Sequence, residues 1–124
     1  MPAYGFVDGE APGSVNPSLW RQSQLNNIHG LFEVADGIYQ LRGYDLSNMT
    51  LIEGRTGWII VDPLTARETA AAAFGFAMQH LEKRPLVAMI FTHSHIDHFG
   101  GVLGVLSSEG VQVEHIRIFA PEGF

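Results

Sequence analysis

The 124-residue chain is 46% hydrophobic and only 16% charged, which fits a single domain with enough apolar content to bury a core, so disorder is not expected. Its 13 acidic residues against 7 lysines and arginines give a formal net charge of −6, which argues against nucleic acid as a partner. Cysteine is absent from the sequence, so disulfides and thiol nucleophiles are excluded, and histidine and carboxylate side chains are the credible zinc ligands.

An irregular arm and a short helix are predicted at the start of the chain. Residues 1–15 are rich in Gly, Pro and Asp and lack periodicity, so we expect an arm ahead of a domain that spans residues 16–124. Asn16 fits the N-cap of a helix and Pro17 fits its first turn. Three apolar side chains of this helix are expected to turn inward: Leu19, Trp20 and Leu25.

Three strands are predicted next, over residues 37–42, 48–53 and 58–62. The segments between them, 43–45 and 54–57, contain glycine and other turn-forming residues, which favours an antiparallel meander.

Helix and strand alternate in the second half of the chain. Residues 65–68 fit a capping box, and the alanine-rich segment that follows predicts a helix to Lys83. A continuous apolar run over 86–91 is typical of a strand buried on both faces. A second helix is predicted to begin at the histidine-rich segment that follows this run and to end at Glu109, and a further strand to span residues 115–120. This order indicates an α/β layered domain, and because the buried run needs more neighbours than these elements supply, we expect one part of a larger domain.

Four side chains suited to metal lie within six positions directly after that apolar run: His93, His95, Asp97 and His98. In an extended backbone, residues i and i+2 project from one face about 6 to 7 Å apart, so the two histidines His93 and His95 can converge on one ion. Asp97 and His98 lie at the turn that follows and can face a second ion. The pattern therefore predicts a divalent metal site at a strand end.

Two alternatives stay open at this stage. The histidines of the cluster could be polar loop residues satisfied by backbone and water, although the strand before them favours metal. Asp62, at the end of the third predicted strand, either accepts a hydrogen bond that orients a metal-bound histidine or caps the turn at Pro63. Surface or core roles are expected for the histidines that lack a ligand-spaced partner: His29, His80 and His115.

The segment from Thr92 to Gly101 resembles the metallo-β-lactamase superfamily, whose signature is a His-x-His-x-Asp-His loop after a buried strand. The resemblance implies the N-terminal half of an αββα sandwich. Several further segments resemble the alkyl sulfatase branch of that superfamily, which hydrolyses dodecyl sulfate, and they occur in the same order. These segments are residues 16–22, 24–25, 30–34, 39–43, 45–50 and 61–64.

The resemblance implies a binuclear zinc enzyme that cleaves alkyl sulfate esters to alcohol and sulfate. It places His93 and His95 on one zinc ion and Asp97 and His98 on the other, with a metal-bound hydroxide expected as the attacking group and no catalytic side chain identified. In that family a bridging glutamate, the other ligands, a dimerisation domain and a lipid-carrier-like domain lie further along. The chain alone is therefore expected to be inactive, and its parent protein to be a homodimer.

Other functions remain open beside this one. The chain could belong to another hydrolase of the same fold, such as a glyoxalase II-like thioesterase, or be a truncated metal-binding chain without catalysis. No apolar run reaches the roughly 18 residues that a membrane span requires, and no signal peptide is visible, so a soluble chain is expected. A periplasmic or secreted location of a bacterial parent protein stays open.

Overall fold

The computed structural model describes residues 5–124, so the first four residues of the predicted arm lie outside the described part. Within residues 5–15 the chain forms turns and bends. The helices and strands follow in this order: α1 Pro17–Asn26, β1 Gly30–Ala35, β2 Ile38–Arg42, β3 Met49–Glu53, β4 Trp58–Val61, α2 Arg67–His80, β5 Leu86–Ile90, α3 Val102–Leu106 and β6 Arg117–Phe119. Two short 3₁₀ turns, Ile96–His98 and Val113–His115, lie between β5 and β6.

The strands form one sheet in which spatial order equals chain order, β1 to β6. The first four strands are antiparallel, as the short glycine-containing connections predict. β5 is parallel to β4, with Val61 opposite Ile90, and β6 is parallel to β5. The parallel pairs require crossover connections, and α2 and α3 lie in them. The predicted α/β class and the predicted meander are confirmed.

The core lies between the sheet and the helices. In β3 and β4 the side chains alternate: Met49, Leu51, Trp58 and Ile60 are buried, whereas their neighbours along each strand are only partly covered. These side chains share one core cluster with α2, with Met89 of β5 and with Val105 of α3. The face of α2 that enters this core consists of Ala70, Ala73, Phe74 and Ala77. The small alanines allow the helix to lie close to the sheet.

The first helix is placed as predicted but is less buried than expected. Asn16 Oδ1 accepts hydrogen bonds from the amides of Ser18 and Leu19 at 2.9 and 3.4 Å, which confirms the N-cap. Leu19 and Leu25, however, are 65% and 52% exposed, so the expectation that they turn inward is wrong. Trp20 is partly covered because its indole N–H donates to the Gly9 carbonyl, 3.0 Å away.

Two predicted features of the second half are also wrong. The capping box at residues 65–68 does not form: the N-cap position of α2 is Ala66, which has no side-chain acceptor. The helix predicted to reach Glu109 is replaced by a 3₁₀ turn and the five-residue α3. Three glycines favour this break, since glycine is a poor helix former: Gly100, Gly101 and Gly104.

β1 was not predicted as a strand. It pairs with β2 from Gly30 opposite Arg42 to Ala35 opposite Ile38, but its side chains are only partly buried or exposed. Because one face of β1 does not enter the core, the hydrophobic alternation that reveals a strand is weak there.

Candidate metal centre

The four predicted ligands lie together at the carboxyl end of β5. His93 and His95 belong to the extended loop that leaves the strand, and their ring nitrogens Nε2 and Nδ1 are 3.0 Å apart. The two rings meet edge to face, with 4.6 Å between centroids. The i, i+2 spacing therefore brings two imidazole nitrogens to the same point, as the extended-backbone argument predicts.

Asp97 and His98 form a second pair on the 3₁₀ turn that follows. His98 Nε2 lies 3.3 Å from Asp97 Oδ2, and both side chains are only about a quarter exposed. The ring of His98 also lies against that of His93, with 4.1 Å between centroids. The structure thus brings both predicted pairs into one patch, next to each other.

The donor set fits zinc in chemistry and in spacing. Two ligands bound to one tetrahedral zinc ion at about 2.0 to 2.1 Å are separated by about 3.3 Å, which is close to the separation within each pair. Within residues 5–124 no group of three or more histidine and acidic side chains is arranged to hold a metal ion. Each pair by itself has the separation expected of two ligands of one ion.

Asp62 connects this loop to the end of β4. The residue is 6% exposed and has a positive φ of 55°, a conformation that is costly outside glycine and asparagine. Its carboxylate accepts hydrogen bonds from the Thr92 amide at 2.8 Å, the Thr92 hydroxyl at 2.6 Å and His98 Nδ1 at 2.7 Å. Of the two roles that the sequence leaves open for Asp62, the structure thus shows the first, in which the carboxylate accepts a hydrogen bond from a histidine of the cluster.

This network also assigns ring protons. An ionised carboxylate only accepts, so His98 Nδ1 carries the proton that points at Asp62. The Thr92 hydroxyl gives its single hydrogen to Asp62, so at its 2.9 Å contact with His93 Nδ1 the ring nitrogen donates. With Nδ1 protonated, the lone pair of each neutral ring is on Nε2, which is then the nitrogen that can bind metal.

Two residues that the sequence reasoning missed support the loop from the connection between β2 and β3. The Ser47 hydroxyl donates to the Asp97 carbonyl, and Asp45 accepts from the amides of Thr65 and Ala66 at the start of α2. Partners separated by 50 and about 20 positions leave no local pattern in a sequence. The only available signal was the turn chemistry of the Asp45-Leu46-Ser47 segment.

The remaining histidines form local contacts away from the cluster. His80 Nδ1 approaches the Phe76 carbonyl at 2.8 Å, and His115 Nδ1 approaches Gln112 Oε1 at 2.9 Å. His29 contacts the Asn27 carbonyl at 3.2 Å. All three are exposed, so of the surface or core roles expected for them the structure shows the surface role.

The loop that carries these four side chains follows β5, which pairs in parallel with β4. Residues 42–124 match the model of the metallo-β-lactamase superfamily. The chain belongs to this superfamily, and the predicted resemblance is confirmed.

Similarity to particular proteins points to one branch. The chain is 58% identical over 123 residues to a linear primary-alkylsulfatase of Pseudomonas sp., covering 98% of this chain and 18% of that protein. It is 50% identical over 125 residues to the alkyl/aryl-sulfatase BDS1 of Saccharomyces cerevisiae, covering 100% of this chain and 19% of that protein. The chain therefore spans about a fifth of the length of these relatives.

Solved structures agree with this placement. The stereoselective inverting sec-alkylsulfatase Pisa1 from Pseudomonas sp. matches with a TM-score of 0.89 and 52% identity, over 99% of this chain and 20% of that chain. The metallo-β-lactamase FIM-1 from Pseudomonas aeruginosa, solved in a mono-zinc form, matches with a TM-score of 0.54 and 20% identity over 78% of this chain and 44% of that chain. At that identity the second likeness shows the fold alone.

None of the helices within residues 5–124 combines the length and the apolar character that a membrane span requires.

Proposed function

We propose that residues 16–124 form the first part of the catalytic domain of a zinc hydrolase that cleaves alkyl sulfate esters to an alcohol and sulfate. The observation that carries the proposal is the position of two metal-ligand pairs at the end of β5 in a chain 50% and 58% identical to named alkylsulfatases. This chain spans about a fifth of the length of these relatives. The activity is therefore proposed for a protein of their full length that contains this segment.

In this proposal His93 Nε2 and His95 Nδ1 hold one zinc ion, and Asp97 and His98 Nε2 hold a second. The separations of 3.0 and 3.3 Å within the pairs support this division. Zinc, when bound, supplies a Lewis acid that lowers the pKa of water towards about 7 and so makes it a nucleophile near neutral pH.

The protein's own contribution is orientation. Asp62 holds a proton on His98 Nδ1 directly and on His93 Nδ1 through Thr92, so that Nε2 of each ring faces the metal side. A carboxylate behind a ligand histidine fixes ring orientation and raises its basicity. The buried position of Asp62 makes this support rigid.

Further parts of the proposal concern the longer protein. Residues 1–15 are proposed to be an arm outside the catalytic domain, and the full-length protein is proposed to be a homodimer. The remaining zinc ligands are expected from residues beyond this segment, because each pair fills one edge of a tetrahedron.

Activity is tested in a full-length protein that carries this segment, with dodecyl sulfate and a thioester as competing substrate classes. We expect sulfate release from dodecyl sulfate, no thioester cleavage, and no turnover by the 124-residue chain alone. His95→Ala should abolish sulfate release, whereas His80→Ala, which removes an exposed histidine remote in sequence from the cluster, should retain it.

Three results would contradict the proposal. Thioester cleavage without sulfate release would indicate the glyoxalase II type of activity. Neither activity together with tight zinc binding would indicate a metal-binding protein without this catalysis. Normal turnover and zinc content in His95→Ala would exclude the ligand assignment.

A further inference from the structure

The connection between β2 and β3, residues 43–48, lies against two segments that follow much later in the chain. We refer to it as the β2–β3 connector. At its centre Asp45 Oδ2 accepts hydrogen bonds from the amides of Thr65 and Ala66, at 3.3 and 3.1 Å, and from the Thr69 hydroxyl. These groups form the start of α2, which has no side-chain cap of its own. The carboxylate therefore fixes the connector to the helix.

Ser47 makes the second contact. The residue is 9% exposed, and its hydroxyl donates to the carbonyl oxygen of Asp97. That carbonyl belongs to the peptide unit that joins Asp97 to His98. A hydrogen bond to this carbonyl restrains the orientation of the peptide plane, and with it ψ of Asp97 and φ of His98, so the hydroxyl acts on the backbone of both residues.

Asp62 cannot supply the same restraint. Its carboxylate contacts the His98 ring and Thr92, but none of the hydrogen bonds described for Asp62 reaches Asp97. The Asp97 carboxylate has a described contact with His98 Nε2 at 3.3 Å and is 22% exposed. Among the described hydrogen bonds from other parts of the chain, the one to the Asp97 backbone comes from Ser47.

We propose that Ser47 is a positioning residue for the Asp97–His98 pair, with Asp45 anchoring the connector that carries it. The inference deepens the function proposed above and rests on it only where zinc is concerned. The restraint on the backbone is a property of the protein itself and can be measured without metal.

The first test measures amide hydrogen exchange at residues 96–100 in the 124-residue chain. Ser47→Ala should accelerate exchange in this segment by about fivefold, the effect of losing one hydrogen bond of ordinary strength. Ser108→Ala is the matched control. The Ser108 hydroxyl also donates to a backbone carbonyl, that of Gly104 at 2.8 Å, but this contact is local to the end of α3. Ser47→Thr, which keeps the hydroxyl, should restore slow exchange.

A positioning role and a purely structural role differ in where the change occurs. The proposal expects faster exchange at 96–100 with unchanged exchange in β3 and α2. Unchanged exchange at 96–100, or equal acceleration throughout the chain, would overturn it. If Ser47→Ala does not fold, Ser47→Cys replaces it, since a thiol is a similar-sized but weak donor, and an intermediate acceleration is expected.

The second test uses Zn²⁺ alone as the probe in the full-length protein, with the histidine ring signals observed by NMR. Ser47→Ala should weaken zinc binding at His98 by about fivefold and leave binding at His93 and His95 unchanged, because the hydroxyl restrains only the second pair. Equal weakening at all three histidines, or none, would contradict the positioning role. If wild-type protein binds no zinc, the proposed function fails, whereas the exchange experiment still decides on Ser47.

Discussion

The two longer helices of this chain are specified in opposite ways. α1 has its own N-cap, Asn16, and buries none of its residues. α2 has an alanine at the N-cap position and buries four residues against the sheet. The carboxylate of Asp45, about 20 positions earlier in the chain, accepts hydrogen bonds from the amides just before the helix and from the Thr69 hydroxyl in its first turn. A local signal thus defines the exposed helix, whereas contacts distant in sequence place the buried one.

The candidate metal centre, like α2, is placed by contacts between residues that are distant in sequence. Its loop is held by Asp62 from the end of β4, by Ser47 from the β2–β3 connector and by close packing of Gly101 on the segment before α2. Changes to these supports should cost more than changes to α1. The predictions below test that difference, starting with the largest expected effect.

Gly101→Ala should destabilise the protein by about 3 kcal/mol, because overpacking of a tight contact forces backbone shifts. A Cβ at this position would overlap the Pro63 and Ala66 carbonyl oxygens and the Ala70 side chain. Gly75→Ala is the control: its Cβ would meet nothing within 4 Å, and the helix should gain about 0.5 to 1 kcal/mol. Denaturant unfolding of both variants measures the effects, and equal stability of the two would contradict the packing argument.

Asp62→Ala should cost about 2 kcal/mol, because it removes three hydrogen bonds to a buried carboxylate. It should also release the His98 ring, visible as averaging of its NMR signals. Asp8→Ala, which removes an exposed carboxylate bonded to the neighbouring Gly9 amide, should change stability by less than about 0.5 kcal/mol. A fixed His98 ring in Asp62→Ala would show that the carboxylate does not orient it.

Asp45→Asn should cost about 1 kcal/mol, because a neutral amide oxygen accepts the hydrogen bonds from Thr65, Ala66 and Thr69 more weakly than a carboxylate does. Burial raises the pKa of Asp45, but hydrogen bonds from Thr69, Leu46 and Ala66 outweigh it and leave the pKa below its ordinary value. Because its pKa is lower in the folded than in the unfolded protein, ionised Asp45 stabilises the fold at pH values above the unfolded pKa of about 3.9. This stabilisation is lost as the pH falls through the folded pKa. Stability measured from pH 5 to 2 should therefore fall less steeply in Asp45→Asn, and an identical slope would contradict the assignment.

Asn16→Ala should have the smallest effect on global unfolding, about 0.5 kcal/mol, because α1 buries no residue. The same variant should lower the helical signal of residues 17–26 measured by NMR chemical shifts. A loss of stability as large as that of Gly101→Ala would mean that α1 is coupled to the core, and would contradict the view that α1 is defined locally.

Local patterns in the sequence were sufficient for the meander, for α1 and for β5. The proximity of the four candidate ligands was also predictable, because they lie within six positions and directly after an apolar strand. Asp62 could be assigned only two alternative roles, since its partners Thr92 and His98 are 30 and 36 positions away.

The features that the sequence did not predict also depend on contacts between residues that are distant in sequence. Thr65 looked like a helix cap, but Asp45 accepts the amides at that helix start. Ser47 had no role assigned from the sequence, and the fold places its hydroxyl against the Asp97 carbonyl. The helix expected to reach Glu109 ends at Leu106, after a start delayed by the glycines that pack against the neighbouring backbone.

The zinc content of a full-length protein carrying this segment tests the central claim most directly. Elemental analysis should find two zinc ions per chain in the wild type and a loss of zinc in the double variant His93→Ala, His95→Ala, together with a loss of dodecyl sulfate hydrolysis. Replacement of both histidines without loss of zinc or of sulfate release would show that the cluster after β5 is not the metal centre.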